Sequence, residues 1–418
     1  MNKKYRNLTE SEISVLTQNG CRAEHWESIE VAPGFQSDRL SEVYFGGKIK
    51  LGANDGTVTG KEPVARPCGI RNAALYDCTV GDQCLIANIG RYIANYEIGD
   101  GVILENVGEL YCEGKSAFGN GTAVSVINEG GGREVPIYEE LTAQTAYIMA
   151  MYRQRSQTIR QMESLIARKV AEKTSARGSL GNHSSVINTT SLVNVRIGEH
   201  ATVNGAMQLS NGSINSSAEA PSFVGSGVTA RDFILAHGAR VDTGSMLRHC
   251  FVGEGVLIEN GFSAENSLFF ANCHCTHGEA CAVFAGPYTV SHHRASLLIA
   301  GYFSFFNAGS GANQSNHLYK TGPVHQGIHL RGCKFGSDAY VLLPACTGVF
   351  TLVTGRHYNH HDTDHMPFSY LVEEDGDSLL VPGINLRSIG TSRDVGKWPK
   401  RDRRKGMASD LIHYEMMN

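Results

Sequence analysis

Val80-Gly81-Asp82-Gln83-Cys84-Leu85-Ile86-Ala87-Asn88-Ile89-Gly90-Arg91-Tyr92-Ile93-Ala94-Asn95-Tyr96-Glu97-Ile98-Gly99-Asp100 decides the fold. It opens on an aliphatic-glycine-aspartate triplet and closes on another 18 positions later, and from Ile98 the aliphatic side chains recur at Leu104 and Leu110. A six-residue step is neither the 3.6 period of a helix nor the alternation of a simple strand. Three such steps make an 18-residue, three-sided coil. One aliphatic residue per side points inward and stacks on its counterparts in the coils above and below, which predicts an all-β solenoid.

Working outward, the coils are expected to start near Ile70, after a cap and entry strands over 1–69. Thr9 with Glu12 three positions on makes a capping box, so a short helix is predicted over 8–20, ended by Gly20. A solenoid needs such a cap because its end coil otherwise exposes apolar side chains and unpaired strand edges. The first coil block runs over 70–134 and ends at Asn128-Glu129-Gly130-Gly131-Gly132-Arg133-Glu134. Pro136 suits a first helical turn, and 137–177 lacks glycine and proline while Ile137, Leu141, Ile148, Tyr152, Ile159, Met162, Ile166 and Val170 follow three- and four-residue steps. A long helix, or two end to end, is therefore predicted as an insertion over 135–178. Its Arg153, Arg155, Arg160, Arg168 and Lys169 read as a solvated face.

The rhythm returns at Ile197-Gly198-Glu199, with Val203 and Leu209 at six-residue steps, and continues through Val224-Gly225-Ser226 and Val252-Gly253-Glu254. These triplets are 27 and 28 residues apart, so loops are expected to bulge from the second block, 179–390. The C-terminal 391–418 carries Arg393, Lys397, Lys400, Arg401, Arg403, Arg404 and Lys405 around Trp398, and reads as a basic tail. Leu411-Ile412-His413-Tyr414-Glu415 reads as the opening of a helix, the start of a truncated region.

Composition narrows the class. The 418 residues include 41% hydrophobic and 19% charged residues, and the formal net charge of −4 favours neither nucleic acid nor an anionic membrane as partner. The 47 glycines suit repeated tight corners. No run of 18 apolar residues and no secretory leader occurs, and the 11 scattered cysteines fit reduced thiols better than a disulfide framework. A cytoplasmic protein is expected.

The triplets and the 18-residue repeat resemble the hexapeptide-repeat, trimeric LpxA-like superfamily of left-handed parallel β-helices. The long segment 267–370 is similar to an uncharacterised bacterial family of long hexapeptide-repeat proteins. The resemblance implies a homotrimer and an acyltransferase that uses acetyl-CoA or another acyl donor on a sugar or sugar nucleotide, with a histidine as general base. Other members bind zinc through histidines between subunits, and others only bind or scaffold; a fold does not choose among these.

Thirteen of the 17 histidines fall between His237 and His365. The densest polar stretch runs from Gly309 to Gly327, where His317 or His325 is the candidate base, and Asn313, Gln314, Asn316, Lys320 and Gln326 are candidate substrate ligands. The bland alternative is that these groups satisfy backbone at the prism corners. In His292-His293-Arg294, adjacent side chains of an extended segment point oppositely, so His292 is a secondary candidate. Gly130-Gly131-Gly132 before a helix offers backbone N–H groups to an anion, with Arg133 as a possible partner, or is a plain turn. Cys273, His274, Cys275 and His277 are zinc-ligand types at a spacing poor for a closed site, and the two cysteines are expected to pack inward. The loop Arg356–His365 mixes histidines with carboxylates and reads as a solvated loop, so no metal is predicted.

Overall fold

The computed structural model describes residues 4–60, 64–315, 326–406 and 408–415. They form two compact units, one of residues 1–119 and 172–230, the other of 120–171 and 231–418. Each is a solenoid of parallel strands.

In the first unit the six-residue rhythm becomes three columns of inward side chains. Ile70, Ile86, Leu104, Val186, Val203 and Val224 are successive partners on one side. Leu51, Val80, Ile98, Leu180, Ile197 and Ile214 make the second, and Phe45, Leu75, Ile93, Leu110, Leu192 and Leu209 the third. All are buried. Each such side chain is worth roughly 1.5–3 kcal/mol of burial. The coil leaves after Cys112 and re-enters at Gly178 in register, so the 18-residue spacing is replaced by a long excursion without breaking a column.

The triplet has a backbone role. Asp82 N donates to Asp100 Oδ1 at 2.7 Å, Asp100 N to Asn182 Oδ1 at 2.9 Å and Ala53 N to Asp82 Oδ1 at 2.8 Å, so each carboxylate or amide holds the corner of a neighbouring coil. A Cβ on Gly81 would lie 2.5 Å from Asp100 Oδ1, which explains the glycine. Asn88, Asn106 and Asn188, all at positive φ, form a side-chain ladder at another corner.

Three expectations need correction. Coils start before Ile70, since Ile29–Val31 already pairs in parallel with Ile49–Leu51, and Leu40–Gly46 with Gly69–Tyr76. The strands before Ile70 lack the aliphatic-glycine-aspartate triplet, which hid them. The 27-residue triplet spacing compares different sides, because Ile197 pairs with Ile214 while Val224 pairs with Val203; only the link from Ile214 to Phe223 is lengthened. The third concerns the helices. The cap helix α1 (Glu10–Gln18) has the predicted capping box of Thr9 and Glu12. The insertion, however, begins as a hairpin of Ala123–Ser125 with Glu134–Pro136, so Pro136 ends a strand rather than starting a helix. Two helices follow, α2 (Ala143–Met151) and α3 (Ser156–Lys173). Arg155, Arg160, Arg168 and Lys169 are exposed along them, as a solvated face requires, and Arg153 is half-buried.

In the second unit, α2, α3 and the hairpin bury Ala146, Met149, Ile159 and Ile166 with Phe251, Phe270 and Phe284 of the coils. The inward columns there change character. One reads Val252, Phe269, Ala285, Phe303, His329 and Thr347, and another ends Leu298, Gln314, Val341 and His357. Large rings alternate with small or polar residues, so the aliphatic signal fades although the coil continues. An antiparallel hairpin, Tyr370–Glu374 with Asp377–Val381, turns at the acidic Asp375-Gly376. The short helix α4 (Ile389–Val395) follows. The stretch after it is not a solvated tail: Trp398 is 8% exposed, Arg403 donates to the carbonyls of Gly255, Asn272 and Cys273, and 411–415 forms an extended strap, not a helix. All 11 cysteines are free thiols, as expected of reduced residues.

Candidate functional site

Strand alternation builds one cleft on an outer side of the second unit. Cys275, Ser291, Ala308 and Phe335 point inward in register, so the residues beside them, His274, His292, Asn307 and Lys334, point out. The chain from Arg393 to Arg403 walls this face, and together they enclose about 760 Å³. Tyr288, Phe305 and Trp398 supply aromatic surface, with Phe305 and Trp398 meeting edge to face at 4.4 Å.

The wall is held by a polar knot. Asp402 accepts from Asn272 Nδ2 (2.9 Å), Arg404 Nη2 (2.8 Å) and Tyr414 Oη (2.5 Å). Burial alone would raise this carboxyl's pKa, but those donors outweigh it and hold it well below the ordinary range. Tyr288 Oη donates to the Trp398 carbonyl at 2.9 Å. Lys334 forms an ion pair with Asp394, which Arg393 also approaches at 3.5 Å. Arg401 is exposed and lines the cleft.

Two imidazoles occupy this cationic setting, with His274 and His292 ring centroids 5.8 Å apart. Burial is the main cause that lowers the pKa of each. Arg403 and His292 add to it at His274, as His293 and Arg401 do at His292. Both are therefore neutral at pH 7 and able to accept a proton. Cations, amides (Asn260, Asn307) and rings can hold a phosphorylated sugar or a nucleotide.

The residues singled out from sequence divide as follows. His292 lines the cleft. His317, His325, Asn316 and Lys320 lie outside the described residues. Gln314 faces the prism interior, fully buried, with neither amide atom hydrogen-bonded, so as a substrate ligand it is misplaced: alternation turned it inward. Asn313, in the same strand, lies outside the lining of the cleft. Arg133 and Gln326 are brought together, Nη2 to Oε1 at 2.9 Å, while Arg133 Nη1 donates to the Ala150 carbonyl at 2.7 Å. The glycine loop is no anion cradle. Gly132 N already donates to Glu134 Oε1 at 2.7 Å, and Gly130 N to Asn128 Oδ1 at 3.2 Å.

Cys273 and Cys275 are fully buried, as expected, and His277 is exposed at a corner, so the zinc-type residues do not converge. Cys346, Asp362 and Asp364 do: their ligand atoms lie within 4.8 Å of one another, a trio missed because Cys346 is far from the acids in sequence. Sequence reasoning named His274 only as a zinc-ligand type, and missed Lys334 and the wall. Inward Cys275 was the available signal for His274; Trp398 among arginines was the one for the wall.

The relatives carry no assigned activity. An uncharacterized protein of Treponema pallidum (strain Nichols) is 26% identical over 425 residues, covering 96% of this chain, which spans 58% of that relative's length. The family model described as domain of unknown function DUF4954 matches residues 5–418, and the chain belongs to that family.

Proposed function

We propose that the cleft binds a phosphorylated sugar or sugar nucleotide and that the protein is an acyltransferase-like enzyme with a cleft imidazole, His292 or His274, as general base. The observation that carries this reading is the pair of imidazoles, centroids 5.8 Å apart, on an aromatic, cation-rimmed face. An imidazole near neutrality suits removal of a proton from an acceptor hydroxyl or amine. As the acceptor oxygen or nitrogen bonds to the acyl carbon, its proton passes to the imidazole nitrogen, and the imidazolium returns it to the leaving thiolate. Arg401 and Arg393 would meet phosphate oxygens, Asn260 and Asn307 sugar hydroxyls, and Trp398 or Phe305 a base or sugar face. Acetyl-CoA or another acyl thioester would supply the acyl group. His317 and His325 remain rival bases, and left-handed LpxA-like coils, a homotrimer and a cytoplasmic location belong to the same proposal. Among the described residues no helix is long and apolar enough to cross a membrane.

The test is acyl transfer from acetyl-CoA to a panel of sugar nucleotides, with binding followed by calorimetry. The double variant His274→Ala/His292→Ala is expected to lose turnover while retaining sugar-nucleotide binding. Unchanged turnover there, together with its loss in His317→Ala/His325→Ala, moves the base. A second reading, noncatalytic recognition, is favoured by the Phe305–Trp398 surface, which can stack a ring without any base. Saturable nucleotide binding with no turnover of any donor identifies it.

A further inference from the structure

A second cavity of about 420 Å³ lies in the same unit, between the first turns of α2, a face of the coils and the strap at 411–413. Its volume is that of a small-molecule site. Phe284 and Tyr302, register partners on successive coils, have ring centroids 5.2 Å apart, and Tyr147 of α2 lies 5.5 Å from Tyr302. Ile148, 40% exposed, and Leu411, 70% exposed, add aliphatic surface at the opening. Neither unit of aliphatic surface is covered by any other part of the described chain to the extent a core residue is.

One cation interrupts this apolar lining. The Arg331 guanidinium lies 4.0 Å from the Phe305 ring centroid, and its Nη2 donates to the carbonyls of His413 and, at 3.2 Å, Glu415. Its Nε is buried with no acceptor. Burial lowers its pKa, and no carboxylate is among the groups acting on it. A half-buried charge without a counter-charge is costly, and an anion from outside relieves that cost.

We propose that this cavity binds a small carboxylate with an apolar body, the carboxylate against Arg331 and the body between Tyr147, Ile148, Phe284 and Tyr302. Nη2 is occupied by the strap carbonyls, so the carboxylate takes a charge-assisted hydrogen bond from the acceptorless Nε, and aliphatic chain against rings supplies the remainder. The site is separate from the histidine cleft, although Phe305 belongs to the lining of both.

The experiment is calorimetric titration of the full chain with octanoate and, as the uncharged counterpart, octan-1-ol. Octanoate should bind saturably at one site per chain, and octan-1-ol at least tenfold more weakly. Arg331→Gln should weaken octanoate at least tenfold. Because Arg331 also holds the strap, Ile148→Asp is the companion variant: it sits on an exposed helical position and should weaken octanoate equally without disturbing the fold. His292→Ala should leave octanoate affinity within twofold. Equal binding of acid and alcohol, no saturable octanoate binding, octanoate binding untouched by Ile148→Asp, or its loss in His292→Ala would each overturn the assignment.

Discussion

Lowering the pH from 7 to 5 should tighten the C-terminal strap, and Asp410 is the reason. Its side chain is 6% exposed, with Oδ1 accepting from Ala143 N at 2.6 Å, the first amide of α2, and Oδ2 from Ala271 N at 3.3 Å on the coils. Glu254 and Arg404 also face it, and Glu254 accepts from Ser409 N at 2.8 Å. Burial outweighs the two amide donors and raises the carboxyl to about 6 from its ordinary 3.8. A raised carboxyl pKa means that the folded chain binds the proton more tightly than the unfolded chain. Ionised Asp410 is therefore a cost to folding that is absent below the unfolded pKa, grows through the window between the two values, and is complete above about 6. At 1.36 kcal/mol per pH unit the full cost is about 3 kcal/mol, and roughly half of it is relieved on going from pH 7 to pH 5.

Hydrogen exchange at pH 5 and pH 7, corrected for the intrinsic rate, reads this locally where a global melt would average over the whole solenoid. Amides of 409–415 and of the first turn of α2 should gain protection at the lower pH, by roughly tenfold. Asp410→Asn, which keeps the shape and an acceptor without the charge, should remove that gain. His274 and His292 titrate with the opposite sign, since both are held neutral in the folded state, but they are common to the two proteins and cancel in the difference. An equal change in protection for Asp410→Asn and the unaltered chain would refute the reasoning.

Two further outcomes are expected. Leu104 is fully buried between Ile86 and Val186 in its column, so Leu104→Ala should cost about 2–5 kcal/mol in urea unfolding; a loss below about 1 kcal/mol would mean that the coils close over the cavity. If a cleft imidazole is the base, the acid limb of kcat/KM should lie below the ordinary imidazole value of 6.5, leaving the rate flat through pH 7. A limb at or above 6.5 would assign the base elsewhere.

The coil was legible where its interior is aliphatic, and not where other residues fill the same position. Ile98, Leu104 and Leu110 announced three sides because each stacks on further aliphatics. Phe303, His329 and Thr347 occupy an equivalent inward column, but no hydropathy rule connects a phenylalanine, a histidine and a threonine. The α1 cap was legible because Thr9 and Glu12 contact each other locally. The cleft was not, since its wall reaches His274 only through a contact more than a hundred residues away in sequence, and the charge of Arg403 read as solvation when it is spent on three carbonyls.

Several of the histidines between His237 and His365 fill the coil interior rather than a face that a ligand can reach. His329 is fully buried, stacked on Phe303 at 5.1 Å, and its Nδ1 meets Thr347 Oγ1 at 3.0 Å, which in turn meets His361 Nε2 at 3.0 Å. Burial, with each neighbouring imidazole adding to it, pushes His329 down to about 3 and His361 to about 4. Both stay neutral at any physiological pH, and the hydroxyl between them can donate to one ring while accepting from the other, so one nitrogen of each ring is satisfied while His329 Nε2 and His361 Nδ1 stay buried without a partner. His357 is spent likewise on Ser378 and the Thr354 carbonyl. A histidine serves such a role because its ring has the size of an aromatic filler and a polar atom on either edge. What distinguishes His274 and His292 is direction: they stand one residue away from an inward Cys275 or Ser291, and the two-residue alternation of the strand turns them out to a face where a ligand can reach them.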